Sequence, residues 1–207
     1  SNPLPNAWLV VGLGNPGPAY DPTRHNVGFW AVADLADRYG SSFSLASRLR
    51  AEVATVTLPP SPSRAASEAV PRVEAIKLIL AKPTTYMNEP GAAVKAVAAF
   101  HKIPAGRVIA IHDELDLDPG RLRLKFGGGD NGHNGLKSII GRLGTSEVPR
   151  LRIGVGRGDA RKELADHVLG TFAADERDDV DAAVLRAADA SVMFVAEGIE
   201  RVMNAFN

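Results

Sequence analysis

Apolar and polar positions alternate along this chain with two different periods, and their order predicts strands interleaved with helices. Residues 8–13 form an apolar run closed by Gly14-Asn15-Pro16-Gly17-Pro18, the pattern of a buried strand opening into a loop. Thr23 is a suitable cap for a helix whose stripe of Val27, Trp30, Ala33, Leu35 and Tyr39 ends at Gly40. Residues 52–58 alternate like a strand, the Pro/Ser-rich stretch 59–71 reads as a surface excursion, and 73–80 supplies the partner strand, broken by Pro83. A helix over 92–101 follows, leaving Tyr86-Met87-Asn88 at the junction, then a buried strand over 107–112. A turn at 118–120, a strand at 122–126, a Gly-rich loop at 127–135, a helix at 136–143 and a strand at 151–155 complete the alternation. Val180, Ala183, Val184, Ala187, Phe194, Val195 and Val202 then recur at helical spacing, predicting one long closing helix with Asp175 to Asp181 crowding its positive end. The whole predicts an α/β fold: a single-domain three-layer sandwich, its twisted mixed β-sheet flanked by helices, over residues 3–207. Ser1-Asn2 reads as a tag remnant.

Composition narrows the chemistry. The 207 residues are 45% hydrophobic and 23% charged, the balance of a packed globular protein. With no cysteine, a disulfide framework, a thiolate metal cluster and a cysteine nucleophile are all excluded. No apolar stretch is long enough to span a membrane and no signal-peptide pattern is present, so the reading is cytoplasmic with no membrane partner. Charge is zero overall but uneven. Residues 121–162 hold ten basic and three acidic side chains, a net of +7, and the remainder to the end carries −7. The basic block is either a solvated surface neutralised by the acidic tail or a phosphate-binding face.

Gly12-Leu13-Gly14-Asn15-Pro16-Gly17 matches a dinucleotide fingerprint in letters only, because Pro16 and Pro18 remove backbone donors and hold the chain extended. The loop at 127–135 lacks the Gly-Lys-Ser order of a phosphate loop, the five histidines show no zinc spacing, and no G-x-S-x-G occurs. What remains is His25 just after a cap, Asp113 at a strand end, His133 in the Gly-rich loop, and three loop amides, Asn15, Asn88 and Asn134, which suit gripping amide or ester groups.

Together, Val11-Gly12-Leu13-Gly14-Asn15-Pro16-Gly17, Tyr20, Thr23-Arg24-His25-Asn26-Val27-Gly28, Lys82-Pro83, Tyr86-Met87-Asn88, His112-Asp113-Glu114-Leu115-Asp116, Gly132-His133-Asn134-Gly135 and Arg152-Ile153-Gly154-Val155-Gly156 resemble the bacterial peptidyl-tRNA hydrolases. These enzymes cleave the ester between a peptide and its tRNA. The resemblance implies a monomeric single α/β domain without cofactor, whose partner is peptidyl-tRNA, both its acceptor end and the attached peptide. It places the catalytic base on His25, its carboxylate partner on Asp113, and substrate-gripping amides on Asn15, Asn88 and Asn134, with Asn15 in the catalytic set. Tyr20, Met87 and His133 fall on the peptide-cleft wall, and Lys125 and Arg152 on a basic pair for the tRNA's terminal phosphate. Asn131 stands where many members have Gly, and the 59–71 segment is longer than the common pattern.

The chemistry read from the residues agrees. Water is the nucleophile left once cysteine and a serine elbow are excluded; a neutral histidine can take its proton, an aspartate can orient that histidine, and an amide can face an ester oxyanion. Which of the three amides does so is open at this level. An RNA-binding module without chemistry would need the basic block but not His25, Asp113 and three amides together, and a nucleotide-dependent enzyme is opposed by Pro16 and Pro18.

Overall fold

In the computed structural model, which describes residues 6–59, 75–159 and 161–207, one seven-stranded sheet runs through the molecule in the order β2-β3-β4-β1-β5-β7-β6. The strands are β1 (Ala7–Gly12), β2 (Ser44–Ala46), β3 (Ala51–Leu58), β4 (Ile76–Pro83), β5 (Val108–Glu114), β6 (Leu122–Phe126) and β7 (Pro149–Gly154). The central four, β4, β1, β5 and β7, are parallel, while β2, β3 and β6 pair antiparallel, so the sheet is mixed as predicted. The α-helices among the described residues are α1 (Val27–Arg38), α2 (Pro90–Phe100), α3 (Asn134–Leu143), α4 (Leu164–Val168), α5 (Ala174–Glu197) and α6 (Ile199–Phe206).

Period-two alternation divides the core between the two faces. Val10, Leu78, Leu80, Ile109, Ile111, Leu151 and Ile153 point to one side, where α1 and α5 cover them with Val27, Leu35, Val180, Ala183 and Ala187. Leu9, Val11, Ile79, Ala81, Val108 and Ala110 point to the other, against Val94 and Val97 of α2 and Ile139 of α3. Helix α1 comes so close to the sheet that a Cβ on Gly12 would strike the Gly28 carbonyl, and one on Gly28 would strike the backbone of Ile111 and Leu13. That approach carries the start of α1 onto the carboxyl ends of β1 and β5, the usual place for chemistry in such a sheet.

Several boundaries differ from the sequence reading. Strand β5 continues through Asp113 and Glu114, because β7 runs alongside them and Val155 N–H donates to the Glu114 carbonyl at 3.0 Å. Strand β4 extends to Pro83, whose missing donor is tolerated at a strand's last residue. Thr23 does not cap α1: a 3₁₀ turn, Arg24–Asn26, intervenes, and the Thr23 hydroxyl donates to the Tyr20 carbonyl at 2.7 Å. The buried residues of α1 are Val27, Gly28, Phe29, Ala31, Val32, Leu35 and Ala36, so Val27 and Leu35 of the predicted stripe are buried while Tyr39 is exposed. The closing helix breaks at Gly198, whose φ of +88° ends α5 and restarts the chain as α6. Strand β2 and helix α4 are too short to leave a period in the sequence. Residues 1–5 and all but Pro59 of the 59–71 excursion lie outside the described residues, as do residues 73 and 74 of the predicted partner strand.

Candidate active site

Four chain segments meet at the carboxyl ends of the parallel strands. From β1, Leu13 N–H continues the ladder by donating to the Ile111 carbonyl, and the chain then turns so that Asn15 and Asn26 clasp each other. Asn15 N–H donates to Asn26 Oδ1 at 2.8 Å, and Asn26 Nδ2 donates to the Asn15 carbonyl at 3.0 Å. Beyond β4, Met87 N–H donates to Asn15 Oδ1 at 2.8 Å. A backbone N–H can only donate, so the Asn15 side-chain oxygen is committed to Met87 and its NH₂ is the group left for the cleft. Asn26 is buried and was not singled out from the sequence; its place directly after His25 was the available signal.

At the end of β5, the Asp113 carboxylate, only 2% exposed, holds two histidines at once. Its Oδ2 lies 2.7 Å from His25 Nδ1 and its Oδ1 lies 2.7 Å from His133 Nε2. His133 is the N-cap residue of α3, and its Nδ1 accepts from Leu136 N–H at 3.1 Å. With Nδ1 occupied as an acceptor, His133 carries its proton on Nε2 and donates it to Asp113. His25 likewise gives its Nδ1 proton to Asp113, and its Nε2 lone pair is left toward the cleft. Burial opposes a charge on His25, but the Asp113 charge and hydrogen bond together outweigh it, so the His25 pKa stands above the ordinary 6.5. Burial raises the Asp113 pKa, but the charges and hydrogen bonds of the two histidines overcome it and hold the carboxylate well below its usual range. Behind them His112, wholly buried, is driven down to about 3 by burial first and by His133 next, so it is neutral, its Nδ1–H donating to the Asp113 carbonyl at 2.7 Å.

The donor atoms of His25, Asp113 and His133 lie within 4.8 Å of one another, close enough to raise the question of a metal ion. The hydrogen-bond pattern does not suit one. Leu136 N–H uses the only lone pair that a neutral His133 would have to spare, so its Nε2 carries a proton and cannot ligate without breaking the α3 cap.

The cleft extends from His25 in two lobes. One, of about 250 Å³, is lined by Asp113, Glu114, Asp116, Asn131, His133 and Leu164 among others. The other, of about 360 Å³, is lined by Asn15, Tyr20, Tyr86, Met87, Asn88 and Leu169 among others. His25, Asn134, Ala165 and Val168 border both, so α4 forms a shared wall that the sequence did not reveal. Tyr86, also not singled out, holds φ of +58° at the cleft edge and meets Tyr20 edge to face at 6.1 Å. The structure thus brings together His25, Asp113, Asn15, Tyr20, Met87, Asn88, His133 and Asn134.

Lys125 and Arg152 line neither lobe. They stand on the edge strand β6 and its neighbour β7, where Arg123 pairs with Arg152 and Lys125 with Arg150, putting all four on the face that also carries His112. The basic block is thinner than its count suggests: Arg150 is buried, Arg142 pairs with Glu89, Arg157 with Asp116 and Arg161 with Asp159. Among the described residues no ion pair joins this block to the acidic segment from 163 onward; the two segments meet where Arg123 Nη1 donates to the Asn207 carbonyl at 3.1 Å.

Comparison with known proteins bears on the family. The family model described as peptidyl-tRNA hydrolase matches residues 9–207. The peptidyl-tRNA hydrolase of Streptomyces avermitilis is 47% identical over 201 residues, covering 97% of this chain and 93% of that protein. That of Mycolicibacterium smegmatis is 46% identical over 196 residues, covering 95% of each. Among solved structures, the peptidyl-tRNA hydrolase from Acinetobacter baumannii superposes with a TM-score of 0.82 at 34% identity, covering 100% of this chain and 97% of that one. Family match, sequence identity and fold agree with one another, and the chain belongs to the peptidyl-tRNA hydrolase family.

Proposed function

We propose that this protein hydrolyses the ester bond between peptide and tRNA in peptidyl-tRNA, with His25 as general base on water. The observation that carries the assignment is the Asp113 carboxylate bonded to His25 Nδ1 at 2.7 Å, which leaves Nε2 as the basic atom facing the cleft. Nε2 takes a proton from water as the water oxygen attacks the ester carbonyl carbon. Asp113 stabilises the imidazolium so formed, and the Asn15 NH₂ donates to the carbonyl oxygen as it becomes an oxyanion. Collapse breaks the bond to the ribose oxygen, which leaves with the proton that His25 returns, so free tRNA and a peptide acid are the products. Asn88 and Asn134 grip the peptide's amides on either side of the reacting carbon, with Tyr20 and Met87 as apolar wall and His133 at the base.

Lys125 and Arg152 take the tRNA's terminal phosphate on the neighbouring face, and no cofactor enters. The protein acts as a monomer in the cytoplasm, with residues 3–207 as one unit; no described helix is long and apolar enough to cross a membrane. The test is hydrolysis of a peptidyl-tRNA beside the matching aminoacyl-tRNA. Release of tRNA from the first and far less from the second is the expected result; equal or absent hydrolysis would overturn the assignment.

A further inference from the structure

Arg150 entered the sequence reading as one more cation of the basic face, yet it is 1% exposed and makes no ion pair among the described residues. Its guanidinium is spent wholly on backbone oxygens. Nε donates to the Val148 carbonyl at 3.2 Å, Nη1 to those of Gly129 at 2.6 Å and Gly128 at 3.2 Å, and Nη2 to those of Ser146 at 2.8 Å and Gly128 at 3.3 Å. Burying a cation without a carboxylate bonded to it is costly, and burial together with the neighbouring Arg152 charge lowers its pKa against the opposing charge of Asp130. An apolar side chain of like volume would avoid that cost, but only a planar fork can gather carbonyls from both the Gly-rich loop and the turn before β7.

We propose that Arg150 is a positioning residue for the reaction: it holds the 127–133 loop in the shape that sets His133 on Asp113 at one end and Lys125 on the tRNA face at the other. This rests on the function proposed above. The loop needs holding. Gly127, Gly128, Asn131 and Gly132 all have positive φ, between +51° and +85°, a backbone with little stiffness of its own. Gly128 folds directly over Lys125, where an added Cβ would lie 3.0 Å from Cε and 3.2 Å from Nζ, so the loop's path fixes where that ammonium sits. Four residues past Gly129 comes His133, whose N–H donates to the Asp130 carbonyl and whose ring donates to Asp113. Lys125 is also the direct cross-strand partner of Arg150.

Arg150→Lys keeps the charge and loses the fork; Arg150→Met loses both. Each should slow single-turnover hydrolysis of peptidyl-tRNA by about ten- to a hundredfold through misplacement of His133 and Asn134. Each should also weaken tRNA binding several-fold and speed hydrogen exchange of the amides at 127–133, with those of β1 and α5 unchanged. The pH–rate profile supplies a readout that simple destabilisation would not move. His25 faces Asp113 and His133, with Glu114, Asp116 and Arg157 farther along the cleft. Loosening His133 leaves the Asp113 charge to His25 alone, so the acid limb should move to higher pH. If exchange in β1 and α5 shows that Arg150→Met does not fold, Arg150→Lys decides. Wild-type single-turnover rate and pH profile in a folded Arg150→Lys, or unchanged exchange at 127–133, would overturn the proposal. A wild-type protein inactive on peptidyl-tRNA would instead overturn the proposed function, and the exchange comparison would still test the loop.

Discussion

Asp113→Asn turns the hydrogen-bond arithmetic of the site into a sharp expectation. Leu136 N–H occupies His133 Nδ1, so His133 Nε2 must donate, and the new amide must turn its oxygen toward His133. Its NH₂ then faces His25 Nδ1 and donates to it, which forces the His25 proton onto Nε2, the atom that should be the base. The variant keeps the shape of the site and inverts its tautomer. By analogy with the corresponding exchange in a serine protease triad, the loss is about 10⁴-fold in rate, or about 5.5 kcal/mol of transition-state stabilisation. The pH dependence carries the same logic. In the wild type the rate should rise with pH through a pKa above 6.5, because His25 must lose a proton that Asp113 helps to hold. In Asp113→Asn the opposing burial acts alone, so any residual acid limb should move to lower pH. Single-turnover hydrolysis of peptidyl-tRNA between about pH 5 and 9, where histidine titrates, measures both. A second substitution tests the tautomer directly: in the double variant Asp113→Asn/His133→Gln, the introduced glutamine carbonyl can accept from the new asparagine amide, letting the asparagine oxygen turn back to His25. That double variant should recover about tenfold over the single one. Asp113→Asn within tenfold of wild type, or a double variant slower than the single, would refute the reasoning.

Three further outcomes follow from other parts of the structure. Asn15→Ala removes the donor held toward the cleft by Met87 N–H, and should lower the single-turnover rate by about 10²–10³-fold, as loss of one oxyanion donor does elsewhere. Lys125→Ala and Arg152→Ala should each weaken tRNA binding and reduce the slope of log affinity against log salt by about one, while hydrolysis of bound substrate persists. Gly28→Ala would put a Cβ within 2.6 Å of the Leu13 nitrogen and against the Ile111 carbonyl, and should destabilise the fold by about 1–3 kcal/mol in thermal or urea unfolding.

Much of this molecule could be read from its sequence because the deciding features are local. The strands at 8–13 and 107–112 are continuous apolar runs, and each found its place beside the other in the sheet. The motif carrying His25, the strand end carrying Asp113 and the loop carrying His133 each stood out, but nothing in their spacing says that one carboxylate bridges both rings. That contact is set by Gly12 and Gly28, which let α1 sit on the sheet, and by a cap on α3 that uses His133 instead of a residue typical of that role. Charge was the least legible quantity. Arg150 and Arg152 are two residues apart on one strand and one face, yet the first is consumed by carbonyl groups and the second is half-buried without an ion-pair partner among the described residues. Period and composition cannot separate them, since the difference lies in a loop that folds back from β6. Helix α4 escaped notice for a related reason: five residues carry too little periodicity to distinguish a cleft wall from a connector.

The central claim is that His25 does the chemistry and the basic face does the holding, and one comparison addresses it most directly. Single-turnover hydrolysis of peptidyl-tRNA by His25→Ala should be measured beside wild type, with the tRNA affinity of each determined independently. His25 bonds Asp113 and lies off the face that carries Lys125 and Arg152, so hydrolysis should be almost abolished while affinity stays within a small factor of wild type. A His25→Ala protein that cleaves peptidyl-tRNA at the wild-type single-turnover rate would contradict the mechanism.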